Sequence, residues 1–328
     1  MKDQIKSTFP LGMGCWAIGG PFFHGNESLG WGEVSDQESI DTLHAAYDHG
    51  VKLFDTAAVY GAGHSESILG KALRGRNDCF IVTKLGLRFD EQSRQLLGPD
   101  LDPANAHAAI EQSIKRLQRE RIDLLLLHLN DLPIEDALPL FDEMNTAVEQ
   151  GKVGCIGWST DHPDKVNAIS GYSNFTAIEH CLNVFVDTPT MQKSVADNDL
   201  IALIRSPLAM GVLTGKYNAQ TIFSEDDNRS RDEAWRDYFV DAMVDPTHLA
   251  NLESVRECLT VGGRTLTQGA LNWIMAKSEL NIPIPGARKP NQIIESAGAV
   301  AFGPLPEDTM QEIEKLISRP PEGKARDR

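Results

Sequence analysis

The stretch Phe54-Asp55-Thr56-Ala57-Ala58-Val59-Tyr60-Gly61 decides the reading of this chain: an apolar run ends in a carboxylate, and a phenol follows after a tight turn. Val51, Leu53 and Phe54 suit a buried strand, Gly61 and Gly63 permit a sharp reversal, and Ser65 to Leu73 carries the pattern of the next helix. The order is strand, turn, helix. In a barrel of such units the reactive side chains sit where strands end and loops begin, so Asp55 and Tyr60 share one mouth. Taken alone, the stretch also reads as a buried Asp at a turn with a Tyr packed over it.

The unit repeats along the chain. Leu11 to Ile18, Cys79 to Leu85, Ile122 to Leu129, Val153 to Ser159, Phe175 to Leu182, Leu200 to Ser206 and Ile282 to Ile284 read as further strands. Between them lie helical stretches, among them Glu135 to Gln150, Leu266 to Lys277, and one opened by the capping box Ser35-Asp36-Gln37-Glu38. Gly19 to Gly32 and the segment after Leu85 read as loops. About eight strand–helix alternations with no separate strand cluster predict an α/β fold, a single (β/α)8 TIM barrel over residues 1–318. A doubly wound sheet is the alternative. Tyr217 to Asp245, acidic and carrying Trp235, Tyr238 and Phe239, reads as an insertion loop over the C-terminal mouth, and 319–328 as a loose polar tail.

The 328 residues, 41% hydrophobic and 24% charged, are ordinary for a globular protein with a sizeable core. A net charge of -16 and a pI near 5.0 argue against nucleic acid or an anionic membrane surface as partner. No uncharged apolar run approaches the roughly 20 residues of a membrane helix, and Pro10, Pro21 and His24 break up the N-terminal stretch that a signal peptide would need. Five scattered cysteines without a CxxC pair suit reduced thiols and a cytoplasmic location. The histidines lack metal-ligand spacing, so no metal is expected. Gly12-x-Gly14-x-x-Ala17 spells a dinucleotide fingerprint, yet no helix opens on it; Gly211-x-x-x-Gly215-Lys216-Tyr217 is one residue short of a phosphate loop.

What remains is Asp55, Tyr60, Lys84 and His128 at successive strand ends. A phenol of pKa about 10 is a poor acid-base catalyst near neutrality until a cation favours its ionised form. Lys84 supplies that cation and Asp55 holds Lys84. Tyr60 then acts as general acid, and His128 donates a hydrogen bond to a carbonyl oxygen as charge develops on it. None of the four carries hydride, so carbonyl reduction requires a nicotinamide cofactor. Each residue singly has a structural reading; their joint placement at one end of the barrel favours chemistry.

These residues resemble the aldo-keto reductase family. Phe54 to Ala57, Tyr60-Gly61-x-Gly63-His64-Ser65-Glu66-x-x-Leu69-Gly70, Ile81 to Lys84, Asp123 to His128 and Gly151-Lys152-Val153-x-x-Ile156-Gly157 are similar to its pattern over nearly the whole chain. The resemblance implies NADPH as cofactor, a small-molecule carbonyl substrate, and the four residues in the roles just given. It places Ser159 at the nicotinamide, with Thr160 where many members have Asn and Glu179 where many have Gln. Arg205, Ser206, Pro207, Leu208, Gly211 and Lys216 match the loop along the pyrophosphate, and Gly286, Arg288, Gln292, Glu295 and Ser296 the adenosine-phosphate segment, Ser296 replacing a frequent Asn. Trp16, Asn130 and Trp158, near predicted strand ends, suggest a sugar or sugar-derived aldehyde. The same family also supplies cofactor-binding regulatory subunits to potassium channels, the alternative function. An isomerase or lyase without nicotinamide would leave Arg288 and the 206–216 loop unexplained.

Arg288 generates a prediction. A guanidinium at a helix start suits a 2′-phosphate, and losing one charge-assisted bond costs on the order of 1.5 to 3 kcal/mol. NADPH should therefore bind more tightly than NADH, and Arg288→Ala should narrow the difference; equal affinities in the wild type remove the basis for this assignment.

Overall fold

Strands too apolar to face water on either side dictate the architecture. The computed structural model describes residue 5 and residues 10–230 and 237–323. Its main sheet contains β1 (Gly12–Gly14), β2 (Leu53–Asp55), β3 (Phe80–Leu85), β4 (Ile122–Leu127), β5 (Val153–Ser159), β6 (Phe175–Cys181), β7 (Ile201–Arg205) and β8 (Asn281–Pro283), hydrogen-bonded in that order. Every pairing is parallel. Just beyond β8, Gly286 forms a parallel bridge with Gly14, and the Gly14 N–H donates to Pro285 O at 3.1 Å, which closes the barrel. A Cβ at Gly14 would lie 2.8 Å from Ile284 O, so the glycine of the fingerprint-like run serves close strand contact.

Because side chains alternate along a strand, each strand feeds two cores. Leu53, Val82, Leu124, Leu126, Ala177 and Leu203 fill the barrel, with Ile5 beneath them. Phe54, Ile81, Leu125, Ile156, Trp158 and Ile204 face the surrounding helices. No described helix is long and apolar enough to cross a membrane.

Three segments depart from the sequence reading. The first strand is shorter than expected, since Trp16–Ile18 turns into a 3-10 helix. Gly19 to Gly32 and the segment after Leu85 are not plain loops: Phe23–His24, Glu27–Ser28, Leu87–Asp90 and Gln95–Pro99 join in a four-stranded rim sheet. Beneath it Phe22, Ala57 and Val59 form a separate apolar cluster that Tyr60 packs against. Within the tail, Arg319 Nε donates to Val184 O at 2.7 Å. Glu322 accepts from the N–H groups of Thr190 and Met191 at 2.7 and 2.9 Å, satisfying donors at the start of the helix Pro189–Asp197, whose N-cap Thr188 makes no side-chain cap.

The insertion reaches the mouth as expected. Asp227 bridges to Trp31, Asn228 N–H donates to Gly30 O at 3.1 Å, and Ser28 Oγ donates to Asp226 O at 2.8 Å. Arg229 locks this strap, with its guanidinium 4.8 Å from the Trp31 ring and Nε donating to Asp227 Oδ1 at 2.8 Å. Trp235 lies outside the described residues.

Gly61 tests how tightly the Tyr60 turn is built. Its φ is +61° and a Cβ would sit 1.8 Å from Gly19 O. Gly61→Ala should destabilise by more than about 2 kcal/mol in denaturant unfolding. Gly50→Ala, at φ +87° with nothing within 4 Å of the added carbon, should cost the backbone strain alone, about 1 to 2 kcal/mol.

Candidate active site

Alternation along the barrel strands brings the functional side chains together. Asp55 follows Leu53 on the inward face of β2, Lys84 follows Val82 on β3, His128 follows Leu124 and Leu126 just past β4, and Glu179 follows Ala177 on β6. Lys84, 1% exposed, donates through Nζ to Asp55 Oδ1 at 2.7 Å and Oδ2 at 2.9 Å, and to Thr56 O at 3.0 Å. The Tyr60 hydroxyl lies 3.5 Å from the same nitrogen. Glu179 Oε2 lies 3.1 Å away, and its Oε1 accepts from Ser159 Oγ at 3.3 Å. Lys84 thus faces two carboxylates, where the sequence suggested one.

Burial and this geometry set the protonation states. Burial alone pulls the Lys84 ammonium down, but Asp55, Glu179 and Tyr60 hold it well above an ordinary lysine. Burial, then the charge of Glu179, raises Asp55 far above the usual carboxylate range despite Lys84. The Tyr60 phenol is also raised, by burial first; Lys84 opposes that rise while Glu179 and Asp55 reinforce it. The expected lowering of the phenol by Lys84 is therefore offset by burial and by the carboxylates around that cation. Burial, Lys84 and Arg205 push His128 down to about 3, so its ring is a neutral hydrogen-bonding group.

An aromatic wall flanks the phenol. Trp16 stacks on Tyr60 at 5.9 Å, Trp31 meets Trp16 edge-on at 5.2 Å, and His128 meets Tyr60 edge-on at 5.8 Å. Asn130, half-buried, accepts at Oδ1 from the Asp161 N–H at 2.7 Å, while its Nδ2 is buried without a hydrogen bond among the described residues. Trp158 is not part of this wall. It is fully buried, its Nε1 donates to Leu129 O at 2.9 Å and its ring packs 5.4 Å from Phe141, because its neighbour Ser159 takes the inward position.

The residues matched to a cofactor fall in three places. Ser159, Thr160 and Glu179 are buried at the ends of β5 and β6; the Thr160 hydroxyl donates to Asn130 O at 2.7 Å. After β7, Ser206, Ala209, Met210 and Gly211 all have positive φ, curling the chain through Pro207 and Leu208 towards exposed Lys216. Arg205 is committed to an ion pair with buried Asp161. Past β8, exposed Gly286 precedes Arg288, whose guanidinium donates to Trp31 O and Glu33 O. Gln292 Oε1 accepts from the Arg288 and Lys289 N–H groups at 2.8 and 3.2 Å, Ser296 Oγ donates to Gln292 O at 3.0 Å, and Glu295 is half-buried with its carbonyl on Gln268. Sequence reasoning missed the Thr56 carbonyl on Lys84, which carries no side-chain signal. It also missed the Glu179 contact; the alternation of β6 signals only that residue 179 faces inward, not that it reaches Lys84. Among the described residues no cluster of His, Cys, Asp or Glu is arranged to hold a metal ion.

Comparison with known proteins agrees with this fold. The model of the Aldo/keto reductase family matches residues 10–318. The chain belongs to that family. It is 30% identical over 317 residues to aldo-keto reductase YhdN of Bacillus subtilis, covering 94% of this chain and 89% of that one. The structure of the glycerol dehydrogenase AKR11B4 from Gluconobacter oxydans superposes with a TM-score of 0.77 at 30% identity, covering 94% of this chain and 90% of that one. An aldo-keto reductase from Klebsiella pneumoniae, solved in complex with NADPH, shares the fold at a TM-score of 0.67 and 20% identity, covering 97% and 94%.

Neutral His128 has a pH signature. The unfolded chain takes up its proton near about 6.5, the folded one only near about 3. Protonation then favours the unfolded state, so stability is lost as pH falls below the unfolded value. His128→Gln should flatten that part of the stability profile in urea unfolding, and wild-type turnover should show no acid limb near pH 6.5 (about the free histidine value).

Proposed function

We propose that this chain is an NADPH-dependent reductase of a small aldehyde or ketone, with Tyr60 as the general acid. The observation that carries the reading is Lys84, held on Asp55 at 2.7 Å and 3.5 Å from the Tyr60 hydroxyl, beside a neutral imidazole. The residues present fit a nicotinamide carboxamide: Glu179 Oε2 and Asn130 Nδ2, an acceptor and a donor at the ends of β6 and β4 on either side of β5, are buried without hydrogen bonds among the described residues. Ser159, Asn130 and Glu179 would hold that group, the 206–216 loop the pyrophosphate, and Arg288 the 2′-phosphate. When bound, the reduced nicotinamide supplies the hydride.

This chain's own residues do the rest. His128 and Tyr60 converge on one carbonyl oxygen, the first donating a hydrogen bond and the second the proton. Lys84 stabilises the phenolate that remains, while Asp55 keeps the ammonium in place. The indoles of Trp16 and Trp31 offer flat apolar faces beside hydrogen-bonding groups, which suits a polyhydroxylated carbonyl such as a sugar aldehyde. The glycerol dehydrogenase named among the relatives supports a substrate of that polarity.

NADPH oxidation should be screened over sugars, sugar aldehydes and simple aromatic aldehydes. Tyr60→Phe keeps the ring and removes the donor, so turnover should fall roughly 10²- to 10⁴-fold with cofactor affinity hardly changed. Lys84→Met should be comparably damaging. Near-wild-type reduction by Tyr60→Phe would mean that the acid lies elsewhere. Tight NADPH binding with no carbonyl turned over would favour the regulatory-subunit alternative.

A further inference from the structure

Lys84 and the two carboxylates around it form a closed charge cluster. Asp55 is 3% exposed, Glu179 2% and Lys84 1%. One ammonium against two ionised carboxylates leaves one net negative charge, and burying an uncompensated charge is far costlier than neutralising it. The bonding is also unequal. Asp55 receives two hydrogen bonds from Lys84, whereas Glu179 Oε2 touches the ammonium at 3.1 Å without a hydrogen bond from any described residue. The two carboxylates together are therefore the natural place for one proton. The other charged or titratable groups facing the cluster do not supply the missing positive charge. Arg205 is ion-paired with Asp161, His128 is neutral, and Tyr60 and Cys15 carry no charge while protonated.

We propose that Asp55 and Glu179, both buried against Lys84, share one proton, and that the cluster releases it when a positively charged ring binds beside Glu179. Placing residue 179 at the nicotinamide rests on the function proposed above; the shared proton does not. The oxidised nicotinamide ring is a cation and the reduced ring is neutral. Binding NADP⁺ therefore expels the proton to solvent, while binding NADPH leaves it in place. A glutamine at 179 could not make this distinction. Glu179 also bears on Tyr60 through Lys84, since an ionised Glu179 engages the ammonium that the phenol needs.

Two measurements test the proposal. The first is infrared spectroscopy of the protein without cofactor at neutral pH. A neutral-carboxyl C=O band should be present in the wild type and absent from both Glu179→Gln and Asp55→Asn, because a single remaining carboxylate pairs with Lys84 and ionises. Absence of the band in the wild type, or its survival in both variants, overturns the shared proton. The second is calorimetric titration of NADP⁺ and NADPH in buffers of different ionisation enthalpy. NADP⁺ should release close to one proton more than NADPH, and its affinity should rise with pH by up to roughly tenfold per unit below the cluster's titration. Glu179→Gln should abolish the difference. Equal proton release for both cofactors, or a difference unchanged in the variant, overturns the linkage. If neither cofactor binds, the functional reading fails, and the infrared result still decides the proton.

Discussion

The site depends on one constraint, a buried ammonium. Lys84 is among the largest fully buried side chains, and its charge is tolerable only because acceptors surround it. Asp55 sits on the neighbouring strand β2, the Thr56 carbonyl follows it, and Glu179 reaches in from β6 across the barrel. The ammonium beside Tyr60 is thus also what ties the strand ends together at the mouth. In the proposed reaction, catalytic readiness and local stability are one interaction there, so substitutions of its partners should act on both.

Around this charge the barrel supplies rigid backing. The Tyr60 turn is pressed against Gly19 so closely that position 61 has no room for a side chain. Ser65 Oγ donates to Cys15 O at 2.8 Å, joining that turn to the end of β1. Buried Glu66 accepts from Thr83 Oγ1 and Arg116 Nε, both at 2.6 Å, fixing β3 against the helix Pro103–Leu117. The family motif around residues 60–70 is therefore largely scaffolding: Gly61, Ser65 and Glu66 hold the turn that carries Tyr60, the acid of the proposed reaction.

The strap formed by residues 226–229 and the loop at 28–33 meets the mouth from the opposite side. Arg229 lies against Trp31, Trp31 against Trp16, and Trp16 against Tyr60. Arg288 bonds to the same loop through the Trp31 and Glu33 carbonyls. Segments far apart in sequence thereby share one rim.

Much of this was legible in the sequence because it follows from local periodicity. Apolar runs such as Ile122 to Leu127 mark strands buried on both faces, their repetition gives the barrel, and alternation puts Asp55, Lys84 and His128 on one inner face. The same rule, applied to β5, would have turned Trp158 outward once Ser159 was placed inward. The rim sheet was not legible, since strands of two residues such as Phe23–His24 carry too little pattern to separate from a loop. Nor was the docking of Glu322 on a helix start 131 residues away. Above all, the second carboxylate on Lys84 required the closed barrel: nothing local to residue 179 says that it reaches residue 84. The sequence determined which face each side chain takes, because that is set by the strand's own two-residue repeat. Which side chains meet across the barrel was decided only by closure, because those distances depend on how all eight strands pack.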